Sequence, residues 1–108
     1  MREPITIKRY NREKKTIEDT EVLAYIYPKR MPGIAIHKST ETGSTWNITH
    51  INSGKIIVPN IRTKKDAVSI AEKLTELCDW TLSEKELVKM AKDDKGFINK
   101  INETAQAV

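Results

Sequence analysis

The sequence predicts an α+β domain: an antiparallel meander of three to four strands, then a main helix and one or two shorter C-terminal helices packed on one face. Three observations predict it. Short runs of alternating apolar residues, broken by turn residues, fill positions 21–60. These runs follow one another too closely for parallel pairing, which needs a crossover of a dozen or more residues. A helical apolar period then begins after Thr63. With 108 residues there is room for one core. Residues 1–108 are therefore read as a single domain, with 1–20 a basic arm or edge hairpin, 21–60 the sheet and 63–105 the helices.

In the first twenty residues Ile5 and Ile7 alternate with Thr6 and Lys8, which predicts a short strand. Lys8, Arg9, Arg12, Lys14 and Lys15 have no apolar stripe behind them. Residues 22–27 alternate Val22, Ala24 and Ile26 against Leu23, Tyr25 and Tyr27, a composition suited to a strand. Pro28 ends that run, and Pro32-Gly33 marks a turn. Ile34 and Ile36 open the next strand, and a polar loop through Thr42 and Gly43 leads to Trp46, Ile48 and His50. Asn52-Ser53-Gly54 has the length of a hairpin turn, and Lys55 to Val58 returns.

Thr63 is placed to cap the main helix, with Asp66 three residues on. Ala67, Ile70, Ala71, Leu74, Leu77 and Cys78 form its apolar stripe. Ser83 and Glu86 make a capping box for a second helix, which should stop near Asp93-Asp94. Lys95 to about Ala105 forms a third, with Phe97, Ile98 and Ile101 as its apolar side.

Composition narrows the function classes. No apolar run approaches the roughly 20 residues that span a bilayer, and the N-terminus has no signal-peptide pattern. A single cysteine excludes an internal disulfide and fits a reducing compartment, so a soluble cytoplasmic protein is expected. The net charge of +4 is unevenly spread: residues 1–65 carry thirteen Lys/Arg against six Asp/Glu, and residues 66–108 carry six against nine. Such asymmetry points to a nucleic-acid partner or an acidic or nucleic-acid-binding host protein, with an ordinary lysine-rich surface as the bland alternative.

Catalytic chemistry is poorly represented. Cys78 lies on the stripe of the main helix, where a core thiol is expected. His37 and His50 are the only imidazoles, and they become neighbours only if their strands pair in a suitable register. Nothing has the spacing of a metal site or a phosphate-cradling glycine loop, so no metal and no cofactor is expected. Binding chemistry is better supplied. Arg62, Lys64 and Lys65 cluster where a helix N-terminus already favours an anion. Tyr25 and Tyr27 lie on one strand face near Lys29, Arg30 and Lys38, the mixture from which stacking platforms for single strands are built. Lys8 and Arg9 extend the basic set into the N-terminal arm.

From Ile34 to Leu77, with Arg62-Thr63-Lys64-Lys65-Asp66-Ala67 and Ala71 opening the helix, the chain resembles β-β-β-α nucleic-acid-binding units. One such family is the double-stranded RNA-binding domains, whose lysines at this position clamp phosphates; the resemblance implies that role for Lys64 and Lys65. Those domains carry a helix before the first strand, which residues 1–20 do not supply. The arm-binding domains of phage integrases are similar too. In its size, its lysine and isoleucine richness and its Trp46-Asn47-Ile48-Thr49-His50 hairpin, the chain also resembles accessory proteins of phages and plasmids of low-GC bacteria. The expectation is a small non-enzymatic protein of a mobile element that contacts nucleic-acid phosphate. Two rivals stand beside it: an inhibitor that binds a host defence nuclease or other nucleic-acid enzyme, and an enzyme using His37 or His50.

Overall fold

A computed structural model describes residues 2–40, 42–94 and 96–106. The chain runs through β1 (Arg2–Asn11), β2 (Thr16–Ile26), β3 (Ile34–Lys38), β4 (Trp46–His50), β5 (Ile56–Ile61), α1 (Lys64–Leu74), α2 (Glu84–Asp93) and α3 (Phe97–Gln106). All five strands join one antiparallel sheet in the order β1-β2-β3-β4-β5. The α+β meander with its helices after the strands is therefore present. The sheet has five strands where three to four were expected.

The extra strand comes from residues 1–20. They form a long hairpin with β2, in register from Arg2 opposite Tyr25 to Asn11 opposite Thr16. Asn11 closes its turn by accepting the N–H groups of Glu13 and Lys14 on Oδ1. Only Ile5 and Ile7 of β1 are buried, so the charge-rich remainder hides the strand from a hydrophobic count.

One face of the sheet meets the helices. Ile34, Ile36, Ile48, Val58 and Ile61 pack there against Ala67, Ile70, Ala71 and Leu74 of α1 and Phe97 and Ile101 of α3. Fully burying each large aliphatic side chain contributes about 1.5–3 kcal/mol. Thr63 caps α1 as expected, accepting the Asp66 N–H on its side chain. The helix stops at Leu74, earlier than the stripe suggested. The Trp80 Nε1–H donates to the Leu74 carbonyl at 2.7 Å, and Thr75 donates its hydroxyl to the Glu72 carbonyl. Leu77 and Cys78 thus sit in the following turn, half-buried against the same core. Burial and the adjacent Asp79 carboxylate push the Cys78 thiol up to about 11, which makes it a poor nucleophile. The Ser83–Glu86 capping box opens α2. In α3, Phe97 and Ile101 face the core while Ile98 is exposed; Lys95 lies outside the described residues.

The opposite face is covered by the sheet's own curl. Ile5, Ile7, Ala24, Ile26 and Ala35 form a second, smaller cluster there. The sheet coils until β1 reaches the β4–β5 turn, where the Lys8 N–H donates to the Gly54 carbonyl at 2.9 Å. Gly54 has φ +73°, and a Cβ on it would lie 2.8 Å from the Thr6 carbonyl oxygen and 3.2 Å from the Ile7 Cα. Buried polar groups of this face are satisfied internally. Asn47 Oδ1 accepts the Asn60 N–H at a bulge in β5. His37 donates from Nδ1 to the Lys38 carbonyl and accepts the Thr49 hydroxyl on Nε2 at 2.7 Å. Burial holds that imidazole below its ordinary value of 6.5.

Both features are open to measurement. Gly54→Ala should lower the melting temperature far more than Gly43→Ala, because Gly43 also has positive φ but nothing within 4 Å of a Cβ. The strain common to both is about 1 kcal/mol, and only Gly54→Ala adds a backbone clash. The His37 imidazole protonates more easily unfolded than folded. Its contribution is therefore complete above about pH 6.5 and falls as the pH drops from there towards the folded-state pKa. Thermal unfolding followed from pH 7.5 downward should show that loss, and His37→Gln should flatten the slope.

Candidate functional site

The helix-facing side of the sheet carries an aromatic and basic cluster beside the start of α1. Tyr25 on β2 is the centre. Its ring lies 6.1 Å from that of Trp46 on β4, reached across Ile36, the β3 partner of Tyr25 that also faces Ile48. Lys64, in the first turn of α1, places Nζ 3.4 Å from the Tyr25 ring centroid. Arg2, the cross-strand partner of Tyr25, sets its guanidinium 5.3 Å from the same ring. Lys38 pairs with Trp46 across β3 and β4 and holds Nζ 5.7 Å from its ring. Such contacts are each worth about 0.5–1 kcal/mol where exposed.

A shallow depression continues the site along α1. It is lined by Tyr27, Arg30, Lys64, Lys65, Val68, Ser69 and Glu72. The Arg30 guanidinium lies 5.6 Å from the Tyr27 ring and donates to Glu72 at 2.6 Å. Glu72 is the single carboxylate lining this depression.

The fold thus brings together Tyr25, Tyr27, Arg30, Lys38, Lys64 and Lys65. The other basic candidates go elsewhere. Lys8 is bound to Asp19 at 2.5 Å. Arg9 lies opposite Glu18 and lines a polar depression near the hairpin tip. Arg62 borders a separate depression with Pro59, Asn60 and Asp66. Lys29 is exposed in the β2–β3 turn beside Arg30.

Two contributors escape a reading of the sequence. Arg2 enters only through its register with Tyr25. Trp46 is half-buried, packed against the edge of the main core as well as in the cluster, while Trp80 is the buried tryptophan at 4% exposure. The arrangement also changes the chemistry on offer. Cations lie beside the Tyr25, Tyr27 and Trp46 rings, so the rings seat positive groups as well as presenting aromatic surface.

The two imidazoles do not come together. Ile34 pairs with His50 and His37 with Asn47, which puts the two histidines on opposite faces of the sheet. His50 accepts the Ser53 hydroxyl on Nδ1 and donates from Nε2 to the Leu82 carbonyl, so both ring nitrogens are engaged, as they are in His37. Among the described residues no group of three His, Cys, Asp or Glu is placed to hold a metal ion, and no helix is long and apolar enough to cross a membrane. Comparison with protein-family models, with curated proteins and with solved structures yields no match to this chain, so the reading of the site rests on its geometry alone.

Proposed function

We propose that the protein is a non-enzymatic nucleic-acid-binding accessory protein that contacts phosphate through the surface around Tyr25. The observation that carries this reading is the gathering of Arg2, Arg30, Lys38 and Lys64 about three aromatic rings, with Lys65 in the adjoining depression, where Glu72 pairs with Arg30. Phosphates on a nucleic-acid backbone are spaced for several such contacts, and each neutralised phosphate releases condensed counterions. Lys64 and Lys65 also flank the N-terminal N–H groups of α1, which favour the same negative charge. Because a cation lies beside each ring, we read the main contact as one to the phosphate backbone.

A second reading is a protein-binding inhibitor that places its basic face in the nucleic-acid groove of a host enzyme. Tyr10, Ile17 and Leu23 favour it: they are 56%, 68% and 50% exposed on the hairpin face that continues from Tyr25. An exposed apolar set beside a basic one suits a protein surface.

Fluorescence anisotropy with labelled duplex DNA, duplex RNA and single strands separates the two. Under the first reading, affinity falls steeply between about 50 and 200 mM salt, with a log–log slope near −0.9 per phosphate on duplex DNA. Lys64→Glu combined with Lys65→Glu should weaken binding by about tenfold or more and reduce that slope by about 2, with circular dichroism unchanged. Glu72→Gln, which releases Arg30, should strengthen binding modestly. Absence of binding to every probe at low salt removes the first reading and leaves the inhibitor.

A further inference from the structure

At the end of the molecule away from this surface, α2 leaves a cleft open. All helices with a completed apolar side bury residues, whereas α2 buries none: Leu87, Met90 and Ala91 are only half-buried. Between α2, α3 and β5 lies a cavity of about 290 Å³. Trp80, Phe97 and Ile101 form its floor, with the Trp80 and Phe97 rings 6.0 Å apart. Val88 and Ile98 stand at its mouth, 45% and 55% exposed.

We infer that this cleft is a docking site for an acidic amphipathic helix of a protein partner. The lining decides against a small polar ligand. His50 and Ser53 reach the cavity, but both His50 nitrogens are bonded, and the Ser53 hydroxyl also accepts the Lys55 N–H. Lys55 and Glu84 in the lining are paired with each other, and beside Asn102 the rest is an apolar surface with aromatic anchors, the composition of a peptide groove. Strand addition is disfavoured at the nearby edge, because β5 carries Pro59 and a bulge. Two helices of ten residues, each about 15 Å long, frame a cleft that accommodates apolar anchors at i, i+4 and i+7.

Charge selects the partner. Lys85, Lys89 and Lys92 line a second depression that shares Val88 and Glu84 with the cleft, so this lysine stripe runs along the mouth. Among the described residues none of the three lysines is in an ion pair. The acids of the same helix turn are committed: Glu84 to Lys55 and Glu86 to the Ser83 cap. A partner helix with leucines on one side and glutamates beside them satisfies both the cleft and its rim. This inference does not rest on the nucleic-acid reading, which concerns other residues.

The test uses the intact chain with a synthetic amphipathic peptide of about 15 residues, leucine-faced and glutamate-flanked. A lysine-flanked version and a scrambled version serve as controls. The glutamate peptide should bind in the micromolar range, shift the amide signals of α2 and α3, and bind about tenfold or more tighter than the lysine version at low salt. Ile98→Glu and Val88→Glu, both exposed positions, should each abolish binding without unfolding the chain, and Lys89→Glu should weaken it. Equal binding of both charge versions, or shifts mapping outside the cleft, overturns the inference. So does a concentration-dependent dimer that Val88→Glu dissolves, since the occupant is then a second copy. Uptake of a small apolar dye with no peptide binding overturns it as well.

Discussion

The molecule depends on solving one geometric problem: a five-stranded sheet has two apolar faces, and its helices are enough for one. All three helices follow the strands in the chain, and α1 and α3 settle on the face of Ile34, Ile36 and Ile48. The other face is closed only because the sheet coils until β1 touches the β4–β5 turn. That contact is made at a residue with no side chain, with the Gly54 carbonyl on the Lys8 N–H. It settles more than burial. In an antiparallel strand alternate N–H groups point away from the partner, so the outward side that includes Lys8 also includes Pro4, which has no N–H. Neither edge of the sheet therefore offers a clean row of donors, since β5 is interrupted at Pro59 and Asn60. Beyond the Gly54 contact the hairpin runs on without core support, which is why Tyr10 and Ile17 stay in solvent.

Trp80 does for the helical layer what Gly54 does for the sheet. Its indole N–H ends α1 at Leu74, and its ring packs between Phe97 of α3 and His50 of β4. The segment that follows is tied down by polar contacts: Asn52 donates to the Thr81 carbonyl, His50 to the Leu82 carbonyl, and Lys55 meets Glu84. So α2 is anchored through its beginning rather than through its apolar side. A ten-residue helix has little intrinsic stability in water. Held at one end with its stripe half-covered, it is the element with the most to gain from further burial.

The parts of this architecture that were legible in the sequence are those encoded locally. The Thr63 cap and the Ser83–Glu86 box depend on residues three apart, and the turn at Asn52-Ser53-Gly54 on three adjacent ones. The first hairpin was only half legible, because β1 is held at its outer edge by a contact with Gly54, more than forty positions away, and its outer residues are charged. The two tryptophans show the same limit. Composition says that a small core wants one large ring, but which one is decided by the reach of Trp80 to Leu74 and by the pairing of Trp46 with Lys38. Within the basic set, Lys64, Lys65, Arg30 and Lys38 converge because the start of α1, the β2–β3 turn and the end of β3 deliver them beside Tyr25, Tyr27 and Trp46. Arg9 is turned to the other face by strand alternation, whereas Lys8 shares the face of Arg2 but lies six residues further along β1, paired with Asp19.

How a positive side chain is held decides what it has left to offer. Lys8 is held by Asp19, and the pair presents no net charge to a passing anion. Lys64 is held over Tyr25, and an aromatic ring restrains a cation without cancelling it. The helix dipole works against a lysine in the first turn of α1, by a few tenths of a kcal/mol or more. The ring beneath offsets that cost, so the charge can stand at the helix start with no anion present. Ordering a long lysine side chain normally opposes binding by about 0.5–1.5 kcal/mol. At Lys64 part of that ordering is already done in the free protein, by Tyr25 and not by a competing carboxylate. An anion arriving there meets a charge that is fixed in place and still uncompensated, whereas on the hairpin it must first displace Asp19. The two halves of the same strand pair thus carry similar residues and opposite availability, and it is the ring at position 25 that makes the difference.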